Sequence, residues 1–495
     1  MADSLRKVGP LRVAVIGAGM SGILSAIRLS KRGVGCVVFE KADRVGGTWR
    51  ENTYPGLSCD VPAHVYTYSF ARNPDWNRWY AEGAEIQRYF ERVARDHDVL
   101  RHVRFGDEVV RLAFADGRWH VHTAAGHHDV FDAVIAATGV LHHPNIPHFD
   151  GIESFAGASF HSARWDHSVA LDGRRIGVIG TGSTAVQITS ALVPRVERFH
   201  LFQRTAQWVY TAPNPRYTDE EKAAFRADPV AFEKLIGKLA YALNDQTAAA
   251  VIDVDSPLLA EIERRCRGNL ETVRDPDLRR RLTPTYRAMC KRLVASPDFY
   301  DAIQQPNARL ITDAIERVEP SGVRTVDGTL HEIDVLVLAT GFRVDQFIRP
   351  AVVVGRDGVE LDEVWSEGPV AYLSVTVPGF PNFFMLNGPN GPVGNFSLIE
   401  IAERQLDYAL QLLDGIHRGD YREISPTPEA TRRFEEERRE AALRTVWASG
   451  CNSWYLDKRG VPASWTFSHK RFVDEMAAPR LDDFETRGSP QEVDR

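Results

Sequence analysis

The sequence lacks the features of several protein classes. It has only five cysteines, an odd number with no CxxC spacing, which argues against a disulfide framework or a zinc site and favours a reducing cytoplasm. No apolar run approaches membrane-spanning length. The formal net charge is -7 and no basic block is present, so neither a membrane nor nucleic acid is expected as a partner. The five cysteines are Cys36, Cys59, Cys266, Cys290 and Cys451.

A short glycine pattern occurs twice along the 495 residues. The first copy, Gly17-x-Gly19-x-x-Gly22, follows an apolar strand-like run and precedes a segment with helical apolar spacing. The second copy, Gly180-x-Gly182-x-x-Ala185, has the same flanks. One such motif is weak evidence, but two in matching contexts predict two dinucleotide-binding βαβ units.

The order of these patterns predicts an α/β protein with two Rossmann-like dinucleotide-binding domains and a helical insertion. Two apolar strands ending in Ala-Thr-Gly bracket the second copy, which indicates that the second domain is inserted into the first. The expected division is an FAD-binding domain at 1–145 and 331–477, an NADPH-binding domain at 146–330 with a helical insertion at 218–285, and a polar tail at 478–495.

The two nucleotide sites differ in the charge that follows the second strand of each unit. In the first unit that strand ends in Glu40, a carboxylate suited to a ribose 2'-hydroxyl, which favours FAD. In the second unit it leads to Arg204 and Thr205, which suit a 2'-phosphate and favour NADPH over NADH. The alternative is that Glu40 and Arg204 are ordinary exposed charges at strand ends.

A third motif lies between the two nucleotide units and fits the pattern FxGxxxHxxxW followed by Pro or Asp. It resembles the fingerprint of type I Baeyer–Villiger monooxygenases, with Trp at the position where related nitrogen- and sulfur-oxidising flavin monooxygenases carry Tyr or Phe. We expect the motif to position the domains without touching substrate. Its residues are Phe155, Gly157, His161, Trp165 and Asp166.

The resemblance extends over nearly the whole chain and implies the residues of both cofactor sites. It implies contact of FAD with Gly17, Gly19, Met20, Ser21, Gly22, Glu40, Gly47, Thr48, Trp49, Ser58, Cys59, Asp60, Tyr66 and Val109. It implies contact of NADPH with Gly180, Thr181, Gly182, Ser183, Thr184, Ala185, Gln187, Lys291, Arg204 and Thr205. Ser58 to Asp60 would lie where the cofactors meet, and Trp454 would belong to a mobile loop over the substrate.

The resemblance also implies the chemistry. Reduced FAD would react with O2 to form a C4a-peroxide, which attacks a ketone and yields an ester or lactone. Arg292 would hold the developing negative charge without giving up a proton, and Asp60 would pair with it and orient it. The loop at 387–397 precedes a helical pattern whose N-terminus could face the flavin.

Three alternatives stay open at this point. A flavin monooxygenase making N-oxides or S-oxides is disfavoured by Trp165 and Arg292. A pyridine-nucleotide disulfide reductase needs a redox-active cysteine pair beside the flavin, which the cysteine spacing does not predict. A non-catalytic flavoprotein redox sensor is disfavoured by Asp60 and Arg292. The expected partners are a small ketone or sulfide and O2, with a monomer and a homodimer both possible.

Overall fold

The computed structural model describes residues 11–392, 394, 396–451, 453 and 455–488. Its strands are β1 (Arg12–Ile16), β2 (Gly35–Glu40), β3 (Val103–Phe105), β4 (Val109–Ala115), β5 (Arg118–Thr123), β6 (His128–Phe131), β7 (Ala133–Ala136), β8 (Ala158–His161), β9 (Arg175–Ile179), β10 (Arg198–Phe202), β11 (Val209–Thr211), β12 (Val294–Ser296), β13 (Ala308–Ile311), β14 (Ile315–Glu319), β15 (Gly322–Thr325), β16 (Leu330–Glu332), β17 (Val335–Leu338), β18 (Val352–Val354), β19 (Phe383–Met385), β20 (Glu423–Pro426) and β21 (Phe484–Arg487).

The α-helices are α1 (Met20–Lys31), α2 (Thr48–Glu51), α3 (Gly83–Asp96), α4 (Ser183–Leu192), α5 (Asp219–Ala227), α6 (Pro229–Tyr241), α7 (Ala248–Ile252), α8 (Pro257–Leu270), α9 (Pro276–Leu282), α10 (Phe299–Ile303), α11 (Leu361–Val364), α12 (Leu398–Arg418), α13 (Pro428–Ala442) and α14 (His469–Ala477). A π-helical segment, Ala242–Thr247, joins α6 to α7. No helix in the described part of the chain is long and apolar enough to cross a membrane.

Two parallel five-stranded sheets dominate the fold, in the strand orders β19-β7-β1-β2-β3 and β13-β10-β9-β17-β8. Their central strands are almost continuous buried apolar runs, as expected for parallel strands covered on both faces. In each sheet a glycine motif connects the central strand to a helix, β1 to α1 and β9 to α4. The predicted α/β fold with two Rossmann-like units is confirmed.

Helices α5 to α9 and the π-helical segment occupy most of 218–285, where the helical insertion is predicted. Thr218 and Glu221 form a capping box at the start of α5: the Glu221 N–H donates to Thr218 Oγ1 at 3.2 Å, and the Thr218 N–H donates to Glu221 Oε2 at 2.7 Å. The helical pattern after residue 397 becomes α12, which ends at Arg418 and is capped by Gly419 with a φ of 79°.

Two expected boundaries differ from the structure. Strand β17 pairs in parallel with β8 and β9, so the second sheet continues past residue 330. The tail expected from residue 478 contains β21, which pairs antiparallel with β20, so its first part is ordered structure. The composition of 478–495 is polar, and the sequence alone does not reveal that a short edge strand finds a distant partner.

Candidate active site

A cavity of about 660 Å³ lies between the two glycine loops. Gly17 and Gly19 contribute to one part of its wall, and Thr181 and Gly182 to another. Both loops follow the carboxyl end of a parallel strand and lead into a helix N-terminus, where free backbone N–H groups and the helix dipole favour an anion. The fold therefore directs two anion-binding loops into one space.

The first loop requires glycine for two different reasons. Gly17 has a φ of +99°, and a Cβ there would lie 2.8 Å from the Ala137 carbonyl oxygen. A Cβ on Gly22 would lie 1.8 Å from the Gly17 carbonyl oxygen, so Gly22 permits the close contact between α1 and the loop. Gly22 does not line the cavity.

The structure brings most of the predicted cofactor residues into the cavity wall. Those that line it are Gly17, Gly19, Met20, Ser21, Glu40, Gly47, Thr48, Trp49, Ser58, Cys59, Asp60, Tyr66, Val109, Thr181, Gly182, Ser183, Thr184, Gln187, Lys291 and Arg292. Those that do not line it are Gly22, Gly180, Ala185, Arg204 and Thr205. Trp454 lies outside the described residues.

Glu40 is a buried carboxylate at the end of β2. Its Oε2 accepts the Ala18 N–H at 2.8 Å, and its Oε1 accepts the Ala42 N–H at 2.9 Å. Arg50 also donates to Oε1 at 3.1 Å. These bonds fix the carboxylate against the first glycine loop, where it borders the cavity.

A buried charge network beside Glu40 was not predicted from the sequence. Arg50 contacts both Glu40 and Glu51, and Glu51 Oε2 is 2.9 Å from His142 Nδ1. Burial by itself would raise the pKa of Glu51, but the hydrogen bond and charge of His142, with Arg164 and Arg50, hold this pKa below its usual value. The carboxylate therefore stays ionised at the cavity wall.

The two nucleotide units contact each other through Gln187 on α4. Its Oε1 accepts a hydrogen bond from Tyr54 Oη at 2.9 Å, and its Nε2 donates to the Ser58 carbonyl at 3.0 Å. A Cβ on Gly56 would lie 2.6 Å from the Gln187 carbonyl oxygen, so the backbones approach closely here. This contact places Ser58 against α4, the helix that follows the second glycine loop.

Arg292 and Asp60 form an ion pair at the cavity wall, with Arg292 Nη2 2.7 Å from Asp60 Oδ2. Arg292 Nε donates to the same oxygen at 3.1 Å, and Nη1 donates to the Gly394 carbonyl at 2.7 Å. The Asp60 charge raises the pKa of Arg292 above its already high value, although burial opposes this. The guanidinium is therefore a permanent cation, as its implied role requires.

Lys291, next to Arg292, lies near Arg204. Burial lowers the pKa of Lys291, and the charge of Arg204 lowers it further. Thr181 Oγ1 donates to the Thr205 carbonyl at 2.9 Å, which ties the second glycine loop to the Arg204–Thr205 segment. Arg204 and Thr205 therefore lie beside the second loop and not in the wall of the cavity.

The fingerprint residues do not line the cavity. His161 Nδ1 accepts the Ala163 N–H at 3.1 Å, so the proton is on Nε2, which donates to the Gly341 carbonyl at 3.1 Å. Gly341 does line the cavity.

The other fingerprint residues make local contacts. Trp165 packs on Phe160 with ring centroids 5.1 Å apart, and Phe155 packs against a separate hydrophobic cluster. Asp166 Oδ1 accepts the Ser168 N–H. Gly157 lies against the Asp334 carbonyl, where a Cβ would clash.

One expectation about the cysteines is wrong. Cys290 and Cys451 form a disulfide, although they are 161 residues apart and no sequence spacing links them. The tertiary fold brings the segment before Arg292 and the segment that ends at Cys451 together, with the Cys290 and Cys451 Cα atoms 6.2 Å apart. Neither cysteine lines the cavity, so the bond does not supply the pair that a disulfide reductase would need beside its flavin.

Further residues around the cavity were not singled out from the sequence. Asn387 and Phe396, near the two ends of the loop at 387–397, line it together with Leu398, the first residue of α12. The Asn387 backbone N–H donates to Gln405 Oε1 at 2.7 Å, but the buried Asn387 Oδ1 has no hydrogen-bond partner among the described residues. The position of Leu398 agrees with the expectation that the N-terminus of α12 faces the cavity.

Comparisons with known proteins agree with this geometry. Residues 10–218 match the family model described as flavin-binding monooxygenase-like. A Baeyer–Villiger monooxygenase of Streptomyces coelicolor is 39% identical over 98% of this chain and 94% of its own length. A Baeyer–Villiger monooxygenase of Pseudomonas aeruginosa is 37% identical over 90% of this chain and 85% of its own length.

Solved structures give the same result. Cyclohexanone monooxygenase from Rhodococcus sp. Phi1 bound to NADP+ superposes with a TM-score of 0.87 and 30% identity, covering 97% of this chain and 100% of that one. Each of these matches covers 90% or more of this chain. The resemblance carried by the fingerprint is confirmed, and the chain belongs to the type I Baeyer–Villiger monooxygenase family.

Proposed function

We propose that this chain is an FAD- and NADPH-dependent Baeyer–Villiger monooxygenase that uses O2 to convert ketones to esters or lactones. The observation that carries the proposal is the Asp60–Arg292 ion pair, which lies in the wall of a cavity bordered by two dinucleotide-type glycine loops. A permanent cation at that place is suited to an oxyanion that forms during oxygen transfer.

The residues present fit both cofactors. For FAD, the first loop has no side chain at Gly17 and Gly19, Glu40 is fixed beside it, and Asn387 offers a buried acceptor without a partner. For NADPH, the second loop has Lys291 and Arg204 nearby. FAD supplies the oxygen activation and NADPH supplies the hydride when they are bound.

The chain's own residues would perform three tasks. Gln187 and Ser58 hold the two units together so that the two cofactor sites share one space. Asp60 accepts two hydrogen bonds from Arg292 and directs its guanidinium. Arg292 then stabilises negative charge on the reacting oxygen without losing its own proton.

The division of the chain also remains a proposal. We infer an FAD-binding unit interrupted by an NADPH-binding unit, with the second boundary moved to just after β17 because this strand pairs with β9. A cytoplasmic location stays a prediction as well. The Cys290–Cys451 bond removes the cysteine argument for it, because disulfides are rare in that compartment.

Turnover with a substrate panel tests the proposed function. Oxidation of NADPH and consumption of O2 are followed with cyclic, linear and aryl ketones and with sulfides and amines, and each product is identified by mass and chromatography. We expect at least one ketone to give an ester or lactone in near one-to-one ratio with NADPH. Formation of S-oxides or N-oxides alone would instead identify the nitrogen- and sulfur-oxidising alternative, and no O2 consumption would identify a redox sensor.

Glu40→Gln is expected to weaken FAD binding about 10-fold or more, because a hydrogen bond to a charged acceptor is lost. Glutamine keeps the size of the side chain but has a single acceptor oxygen, so only one of the Ala18 and Ala42 N–H groups keeps its acceptor. Flavin absorbance per chain in the purified protein measures the effect, and NADPH affinity of the FAD-refilled variant should change little.

Glu403→Gln is the matched control, since Glu403 also accepts a backbone N–H, from Ser69 at 2.9 Å, but does not line the cavity. It should keep its FAD. Full FAD content in Glu40→Gln combined with weakened NADPH binding would mean that the two cofactor sites are assigned in the wrong order.

A further inference from the structure

Tyr455 contacts the segment that holds Arg292. Its side chain is buried and hydrogen-bonds the Arg292 side chain. A Cβ on Gly394 would lie 2.2 Å from Tyr455 Oη, so the hydroxyl lies directly against Gly394. The Gly394 carbonyl in turn accepts a hydrogen bond from Arg292 Nη1. Arg292 is therefore surrounded by acceptors from three separate segments, at Asp60, Gly394 and Tyr455.

Several contacts fix Tyr455 in this place. Its ring packs on Trp447 with centroids 5.0 Å apart, and its carbonyl accepts the Ala463 N–H at 2.7 Å. The Cys290–Cys451 bond joins its loop to the segment that carries Arg292. The disulfide is four residues before Tyr455 and two residues before Arg292, so it limits how far these two side chains can separate.

We propose that Tyr455 is a positioning residue for Arg292, which holds the guanidinium in its orientation toward the cavity while Asp60 holds it from another segment. The inference rests on the proposed function. A guanidinium has five N–H groups in a rigid plane, so acceptors on different sides define its orientation. With the Tyr455 hydroxyl removed, the plane is free to turn further toward Asp60, and its donors point away from the reacting oxygen.

The test is Tyr455→Phe, which removes the hydroxyl and keeps the ring that packs on Trp447. Ester formation at saturating ketone should fall about 10-fold, the effect of one lost hydrogen bond to a charged group. The KM for ketone and the rate of flavin reduction by NADPH should change little, and NADPH not used for ester should appear as hydrogen peroxide. Unchanged ester yield per NADPH would overturn the inference.

A double-mutant cycle separates positioning from a general structural role. In an Arg292→Ala background, Tyr455→Phe should cause no further loss of ester, because its action depends on Arg292. An equal loss in both backgrounds would show that Tyr455 acts on structure alone.

Tyr421→Phe is the matched control. Its hydroxyl is also buried, donates to the Leu412 carbonyl at 2.8 Å, and lies outside the cavity wall. It should leave ester yield unchanged. Two different results would contradict the proposed function and the inference. Wild-type protein that forms no ester from any ketone contradicts the proposed function. An active wild type, together with a Tyr455→Phe variant that forms as much ester per NADPH as the wild type, contradicts the inference.

Discussion

Replacement of Arg292 by alanine is expected to lower ester formation by at least about 100-fold, the usual effect of removing one preorganised oxyanion stabiliser. NADPH oxidation should continue, because both glycine loops and Glu40 line the cavity, whereas Arg292 hydrogen-bonds Asp60 and Gly394. Hydrogen peroxide should replace the ester as the product that accounts for the NADPH consumed. Chromatography of the ester and a peroxidase-coupled assay measure the two products in one reaction.

Two companion variants sharpen this result. Arg292→Lys keeps the charge but loses the planar fork that Asp60 Oδ2 accepts twice, so it should recover only part of the ester. Arg287→Ala is the matched control, since Arg287 lies in the same segment, pairs with Glu263 at 2.5 Å and does not line the cavity. Its yield of ester per NADPH consumed should stay at the wild-type value. A yield of ester per NADPH near the wild-type value in Arg292→Ala would show that Arg292 does not act in oxygen transfer. Lys291 would then be the next cation to test.

The elements around the two glycine loops were predictable because their signals are local. A buried apolar strand, a glycine turn and an amphipathic helix follow one another within about 20 residues, which is the length of the motif itself. The end of the next strand gave Glu40 by the same reasoning. The structure places this carboxylate on the Ala18 N–H, within the first loop.

Contacts between distant segments were not predictable in this way. Asp60 and Arg292 are 232 residues apart, and their pairing was implied by family resemblance and not by any pattern in the chain. Glu51 and His142 are 91 residues apart, and Cys290 and Cys451 are 161 residues apart. None of these pairs leaves a periodic or compositional signal, because the packing of whole units determines which side chains meet.

Arg204→Ala is expected to weaken NADPH binding by about 1.5 to 3 kcal/mol, which is about 10- to 150-fold in Kd. Arg204 follows β10 at its carboxyl end, and its charge contributes to lowering the pKa of Lys291. The charges of Lys291 and Arg204 therefore repel each other. A 2'-phosphate would relieve that repulsion, so the loss of Arg204 should remove more affinity than an isolated surface charge would.

The comparison of coenzymes makes this prediction specific. NADH lacks the 2'-phosphate, so its affinity should change little in Arg204→Ala, and the preference for NADPH should shrink by nearly the whole loss. Arg198→Ala is the matched control, because Arg198 is an exposed arginine on the same strand but at the end away from the glycine loop. It removes the same formal charge and should leave both affinities unchanged. Titration of the oxidised enzyme with NADP+ and NAD+ measures the Kd of each coenzyme in both variants and in the wild type. Equal losses of affinity for both coenzymes in Arg204→Ala would show that Arg204 acts on the site as a whole and not on the phosphate.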